Sequence, residues 1–320
     1  VPKWIKALVG SLVFLAAVYG LLRIPRRSGG PLLPPAPKDI SRISLAHSSF
    51  HFVFEKTDSG WRLREPLEFP AEEGAVGALL EGIGALAADE AVSKRAESHG
   101  LYEVTDEAGT RVGAWAPGAP SDDPGRPLAA AADKPVEWIL GKPTPDGGGI
   151  YLRLPGHDEV YRATGLTRET VRQPLNNWRD RRVLSIQAED EIREIRLGGL
   201  GAHFNLAKSS DLWTVDGRPA RRDLAERVAN ELRYAAAEEF VDPPAALDLK
   251  TWGLTGLTPT IVLKLTSGKS VTLRFGKKEL PGSAARVVVQ REGEPTLYWV
   301  LVNRLEIRTL IAKDFLEQKK

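Results

Sequence analysis

Apolar residues divide the 320-residue chain into one unbroken run and a long remainder in which apolar and polar positions alternate at two periods. Residues 7–22 read ALVGSLVFLAAVYGLL without a charge, close to the roughly 17 to 25 residues a helix needs to cross a hydrocarbon core. This predicts a transmembrane helix within residues 1–24, with Leu8, Leu12, Phe14, Leu15, Val18 and Leu22 in lipid and Trp4 and Tyr19 at the two interfaces. Lys3 and Lys6 nearly balance Arg23, Arg26 and Arg27, so flanking charge does not orient the helix. Its layout does: a short leading tail, one apolar run and no A-x-A site after it describe an uncleaved signal anchor, N-terminus inside. Residues 25–38, rich in Pro, Gly and Arg, form an extended linker.

Beyond the linker the pattern repeats. Ile40 and Ile43 recur as Ile192 and Ile195, an offset of 152 (192 minus 40), and Trp61 recurs as Trp213 at the same offset (213 minus 61). Each tryptophan precedes a segment of helical period: Val76, Leu79, Leu80, Ile83 and Leu86 in the first copy, and Leu224, Val228, Leu232 and Ala236 in the second. Spacings of three and four put these residues on one face that must pack on a sheet. Gly74, Gly77, Gly82 and Gly84 in the first helix each cost about 1 kcal/mol relative to Ala, so that helix either packs very closely or frays at its start.

The helices run into DEAV and EEFV, and then into HGLYEVT at His99 and WGLTGLT at Trp252. Matching Gly100 to Gly253 keeps the offset at 153. Alternating segments with Gly-containing turns follow in both copies and read as antiparallel hairpins. The first copy carries an extra APGAPSDDPGRPLAAAADK between Trp115 and Pro135, a surface insertion. The copies end alike at Asp180 and Asp314, 39 residues after Gly141 and 38 after Gly276. The fold class is therefore α+β: an N-terminal transmembrane helix, then two tandem homologous units, 39–187 and 188–320, each an antiparallel sheet packed with an amphipathic helix.

Composition narrows the chemistry. A formal net charge of +2 with interspersed signs excludes the basic stripe of a nucleic-acid binder. With no cysteine, disulfides and thiolate zinc sites are excluded. SGKS at Ser267 to Ser270 lacks the first glycine of a phosphate loop, Leu263 standing there, and reads as a hairpin turn. LGGLGAHF at 197–204 lacks the third glycine of a dinucleotide site. His47 and His51 lie in strand and turn, where four residues span about 13 Å, and no third ligand is nearby. No G-x-S-x-G or H-E-x-x-H occurs. No cofactor is expected. Trp61 and Trp213 read as core anchors, and the pairs Glu72 with Glu73 and Glu238 with Glu239 as solvated helix ends.

The densest polar motif is NNWRDRRVLSI, with Trp178, Arg179, Asp180, Arg181 and Arg182. Its guanidinium groups could take an anion, a headgroup or a partner carboxylate. The favoured reading is structural: Asp180 fixes Arg179 and Arg181 where the two units join.

Taken in order, the Gly60-Trp61-x-Leu63 turn, the amphipathic helix, the Tyr-Gly-Leu-like motifs at His99 and Trp252, the Leu140-Gly141 strand end and the Arg179-Asp180-Arg181 segment resemble a bacterial domain-of-unknown-function family of membrane-anchored envelope proteins. In both copies the first residue of Tyr-Gly-Leu differs from that pattern. Members are often encoded beside ABC transporters of the gliding-motility type. The resemblance implies a single-pass protein of the bacterial inner membrane, its C-terminal bulk periplasmic. Its partners would be the lipid bilayer, ABC permease and ATPase subunits, and an envelope partner. The expected function is a non-enzymatic accessory subunit acting as scaffold or coupling element. The alternatives are a periplasmic module binding lipid, glycan or peptide in a groove between the units, and a hydrolase with an unfamiliar site.

Overall fold

The computed structural model describes residues 33–117, 134–186, 189–199, 203–256, 258–279, 285–302, 305 and 310–316. The anchor expected over residues 1–24, the linker before Leu33 and most of the insertion after Trp115 lie outside these residues. Among the described residues no helix is long and apolar enough to cross a membrane.

The chain divides into two compact units between Arg179 and Asp180, a few residues ahead of the boundary expected at 187/188. Backbone bonding explains the position. The Trp178 carbonyl accepts from Glu72 N at 2.9 Å, whereas the Arg181 carbonyl accepts from Ala237 N at 2.7 Å and Val183 N donates to Ala235 O at 2.9 Å.

The first unit contains β1 (Arg42–His47), β2 (Phe50–Thr57), β3 (Gly60–Glu65), β4 (Phe69–Pro70), α1 (Glu73–Gly84), β5 (Ala87–Ser93), α2 (His99–Tyr102), β6 (Thr110–Trp115), β7 (Val136–Pro143), β8 (Ile150–Arg153), β9 (Val160–Thr164) and α3 (Arg168–Val171). Its strands form one antiparallel sheet in the order β4-β3-β2-β1-β6-β7-β8-β9-β5. Alternation chooses the buried face: Ile43 and Leu45 of β1 and Phe52 and Phe54 of β2 are buried. Val76, Leu79 and Ile83 of α1 join them in one core with Trp138 and Trp178.

The second unit contains β10 (Ile192–Gly198), β11 (Phe204–Ser209), β12 (Leu212–Val215), β13 (Arg218–Pro219), α4 (Arg222–Arg233), β14 (Glu239–Val241), β15 (Thr260–Leu265), β16 (Ser270–Glu279), β17 (Arg286–Arg291) and β18 (Leu297–Leu301). Its strand order is β13-β12-β11-β10-β15-β16-β17-β18-β14. Position by position this is the order of the first unit, so the duplication extends to topology. Register confirms the opening match: Trp61 lies opposite Lys56 and Trp213 opposite Lys208. In both units that tryptophan's carbonyl accepts a 2.9 Å bond, from Ala71 N and from Ala220 N. Trp213 is buried and Trp61 half-buried against the core.

The two long helices are 12 residues each. Glu72 is not merely solvated: its carboxylate caps α1, accepting from Ala75 N at 2.6 Å. The glycines of α1 divide by role. A methyl group on Gly82 would lie 2.6 Å from a Leu166 carbon and 3.1 Å from the Gly165 carbonyl oxygen, whereas one on Gly77 or Gly84 would meet nothing within 4 Å. A methyl group on Gly74 would lie 3.2 Å from the capping Glu72 carboxylate, so close approach is found at Gly74 and Gly82 and only Gly82 meets another segment.

The glycine match at 100 and 253 is corrected. Val104 N donates to His99 O and Glu103 N to Gly100 O, and in the second unit Leu254 N donates to Leu249 O and Gly253 N to Lys250 O. These are paired Schellman closures. The left-handed residue is Glu103 (φ 57) in one and Gly253 (φ 66) in the other, so Tyr102-Glu103-Val104 corresponds to Trp252-Gly253-Leu254. A methyl group on Gly141 of β7 would lie 2.1 Å from the Tyr102 oxygen, and one on Gly276 of β16 would lie 2.3 Å from the Trp252 oxygen. The aromatic carbonyl thus rests on a strand glycine in both units.

Candidate functional site

The motif at 178–182 does not assemble into one cluster. Trp178 is fully buried in the first unit, its ring 5.0 Å from Phe54 and 6.4 Å from Phe52. Arg179 is buried with its guanidinium 4.2 Å over the Phe69 ring. Arg181 donates Nε to the Ala237 carbonyl at 2.7 Å and Nη2 to the Glu238 carbonyl at 2.6 Å. Asp180 grips Arg182: both carboxylate oxygens accept from Nε at 3.0 Å, Oδ2 also accepts from Nη2 at 2.8 Å, and Oδ1 accepts from the Arg182 amide at 2.9 Å. Arg181 is therefore fixed by backbone carbonyls instead of by Asp180. The corresponding end of the second unit is at Phe315, not Asp314. Ala220 bridges to Leu316 as Ala71 bridges to Arg179, and Arg221 N donates to Phe315 O at 2.7 Å as Glu72 N does to Trp178 O.

A groove of about 660 Å³ lies wholly within the first unit, between the β1–β2 turn and the segment after α3. Its apolar wall contains Phe50, Phe52, Pro66, Pro174 and Leu175. Phe50 and Phe52, two apart on one strand, share a face and stack at 4.9 Å and 11°, and His47 stacks on Phe50 at 5.4 Å.

Four ionisable groups border this wall: Glu65, His51, His47 and Arg172. His51 Nδ1 pairs with a Glu65 oxygen at 2.9 Å. His47 Nδ1 accepts from the Ser49 amide at 3.3 Å and lies 2.8 Å from the Ser49 hydroxyl. Burial, then the charges of Arg172 and Arg168, hold the His47 imidazole below its usual pKa, so it is neutral near pH 7. Arg172 is half-buried. Its Nε donates to Thr110 Oγ1 at 2.7 Å and its Nη2 to the Ala108 carbonyl at 2.8 Å. Both partners belong to the loop and strand that follow the Tyr102 closure, so the Gly141 contact and the groove share one support. Burial and the neighbouring Arg168 lower the Arg172 pKa; Arg168 has its own partner, Glu103, at 3.1 Å.

The sequence offered no view of this groove as a whole, because its two walls lie more than a hundred residues apart in the chain. The spacing of Phe50 and Phe52 beside His47 was its only local trace. A second hollow, of about 410 Å³, lies beside Trp213 and α4. Its rim carries both signs of charge, including the Lys208–Glu191 pair at 3.2 Å.

Other sequence features have structural roles. Gly268 of SGKS, at φ 83, turns β15 into β16, and Ser267 donates its amide and hydroxyl to Asp190, both at 2.9 Å. Gly199, at φ 97, follows β10, while 200–202 of LGGLGAHF lie outside the described residues. Arg153, buried in β8, donates to the carbonyls of Val104, Leu154 and His157. Glu239 pairs with Arg286 at 2.8 Å. No group of three His, Cys, Asp or Glu residues is placed to hold a metal among the described residues.

A family model described as "Domain of unknown function (DUF4340)" matches residues 61–255, from the Trp61 turn of the first unit into the Leu254 closure of the second. No curated protein and no solved structure matches the chain.

Proposed function

This chain belongs to the DUF4340 family, and from that premise we propose that it is a non-enzymatic, membrane-tethered periplasmic accessory subunit of an ABC-type transporter complex of the gliding-motility kind, acting as scaffold or coupling element. The observation that carries this reading is the duplication of one nine-stranded topology. Two copies of a broad sheet offer two similar platforms on one tether, an arrangement suited to holding partners. The conspicuous charged side chains support it as well: Arg153, Arg181 and Asp190 are committed to closing backbone and turns. The tether is the apolar run 7–22, and the transporter connection comes from the family resemblance.

The test is affinity purification of the full chain from native membranes in mild detergent. An ABC permease and its ATPase should co-purify in near-stoichiometric amounts, and should be lost when residues 1–32 are removed. Recovery of neither above a mock control would end the transporter reading.

A further inference from the structure

We propose that the groove of the first unit binds a long-chain carboxylate, its head on Arg172 and its chain along Phe50, Phe52, Pro174 and Leu175. The proposal stands apart from the transporter reading, since every residue it uses belongs to one unit.

The head site follows from an arginine that is half-buried and makes no direct ion pair, Glu103 acting on it only through space while bonded to Arg168. Among the described residues no carboxylate lies within ion-pairing distance of Arg172, although Arg168, one turn away on α3, has Glu103. Two of its three nitrogens are tied to Thr110 and Ala108, which fixes the guanidinium plane and leaves Nη1 for a ligand. Withdrawing a cation from water without a partner is unfavourable, and a carboxylate arriving in a charge-assisted bond reverses that cost. Burial and Arg168 lower the proton affinity of Arg172 more than Glu103 raises it. With one nitrogen to offer and His47 neutral beside it, the site suits a monoanion better than a phosphate dianion.

The rest of the ligand follows from the walls. The Phe50–Phe52 stack, Leu175 and two prolines present apolar surface in a volume within the usual range for small-molecule sites, about 300 to 1,000 Å³. A peptide would need hydrogen-bonding partners for its backbone. Here β1 and β2 are interior strands, each paired on both sides, so they offer no free ladder. The second unit acts as an internal control. At the offset that matches Ile43 to Ile195, His47 becomes Gly199. The β1–β2 pairing recurs there as β10–β11 without that imidazole, so folding alone does not require it.

The experiment photolabels the full chain in nanodiscs with dodecanoate carrying a mid-chain diazirine, beside the matching dodecanol, and maps adducts by mass spectrometry. The acid should label positions 50–52 and 173–175 about tenfold more than the alcohol does, the ratio expected for one charge-assisted hydrogen bond. Arg172→Gln should remove that preference, and Phe50→Ser should cut labelling by both probes. If Arg172→Gln fails to fold, the acid-to-alcohol ratio in the wild-type chain still decides. Equal labelling by acid and alcohol, adducts spread evenly over both units, or protection of the groove by a free-acid pentapeptide instead of by unlabelled dodecanoate would each overturn the proposal.

Discussion

The backbone amide of Glu72 donates to the carbonyl of Trp178 at 2.9 Å, joining the start of α1 to the last segment of the first unit. Arg221 and Phe315 make the corresponding bond at 2.7 Å in the second unit. In each case an aromatic ring is sealed into the core beside it, Trp178 against Phe54 and Phe315 against Phe204 at 5.1 Å. The segment is therefore a closing latch for its own sheet. Trp178→Ala should destabilise the first unit by about 3 to 5 kcal/mol, the usual cost of removing a buried aromatic side chain. Hydrogen exchange should show the loss across β1, β2 and α1 and leave β10 to β18 unchanged. Equal loss in both units would mean that the residue does not serve one sheet alone.

The Tyr102 and Trp252 carbonyls resting on Gly141 and Gly276 set a second expectation. Alanine at either strand glycine would press a methyl group into a backbone oxygen, and overpacking of this kind costs about 1 to 3 kcal/mol. The corrected pairing of the closures is tested in the same series. Gly253→Ala should cost about 1 kcal/mol for its left-handed backbone, while Gly100→Ala, in α2 with nothing within 4 Å of the new carbon, should be neutral or slightly stabilising. Denaturant midpoints of the four variants measure this. A cost at Gly100 equal to that at Gly253 would restore the glycine-to-glycine match.

These closures show where sequence pattern carried the fold and where it stopped. Ile43 with Ile195, and Trp61 with Trp213, were legible because strand alternation and an aromatic before the helix fix the register there. The helical stripes of Val76 and Leu224 were legible for the same reason. The left-handed residue was not, because Glu103 occupies a position that favours glycine and the nearby Gly100 took its place in the match. Likewise Asp180 drew attention by charge, whereas the repeated feature is the buried ring at Trp178 and Phe315. The groove was the least legible, since Arg172 and Phe50 meet only through tertiary structure.

Two glycines of α1 should respond to alanine with opposite signs. Gly77 meets nothing within 4 Å, so Gly77→Ala should stabilise by about 1 kcal/mol through helix propensity alone. At Gly82 the same gain is set against a clash with buried Leu166 and the Gly165 carbonyl. Gly82→Ala should therefore be destabilising, by about 1 to 2 kcal/mol. Thermal or urea unfolding of the two variants suffices, and stabilisation by both would show that the α1 contact at Leu166 is loose.

Acid should weaken the second unit through Asp190. Burial, the largest influence on this carboxyl, opposes its ionisation, but the hydroxyl and amide of Ser267 and the hydroxyl of Thr266 outweigh it and bring the pKa below the ordinary carboxylate value. Those bonds, of 2.9 to 3.0 Å, tie Asp190, two residues ahead of β10, to the β15–β16 turn. A group whose folded pKa is depressed contributes stability that is complete above its unfolded pKa, about 3.9 for Asp, and is lost as pH falls through the lower folded value. Unfolding of the wild-type chain and of Asp190→Asn, compared between pH 7 and pH 2, should therefore converge: a clear difference at neutral pH, shrinking below pH 4. A difference that stays constant down to pH 2 would show that ionised Asp190 does not hold the turn.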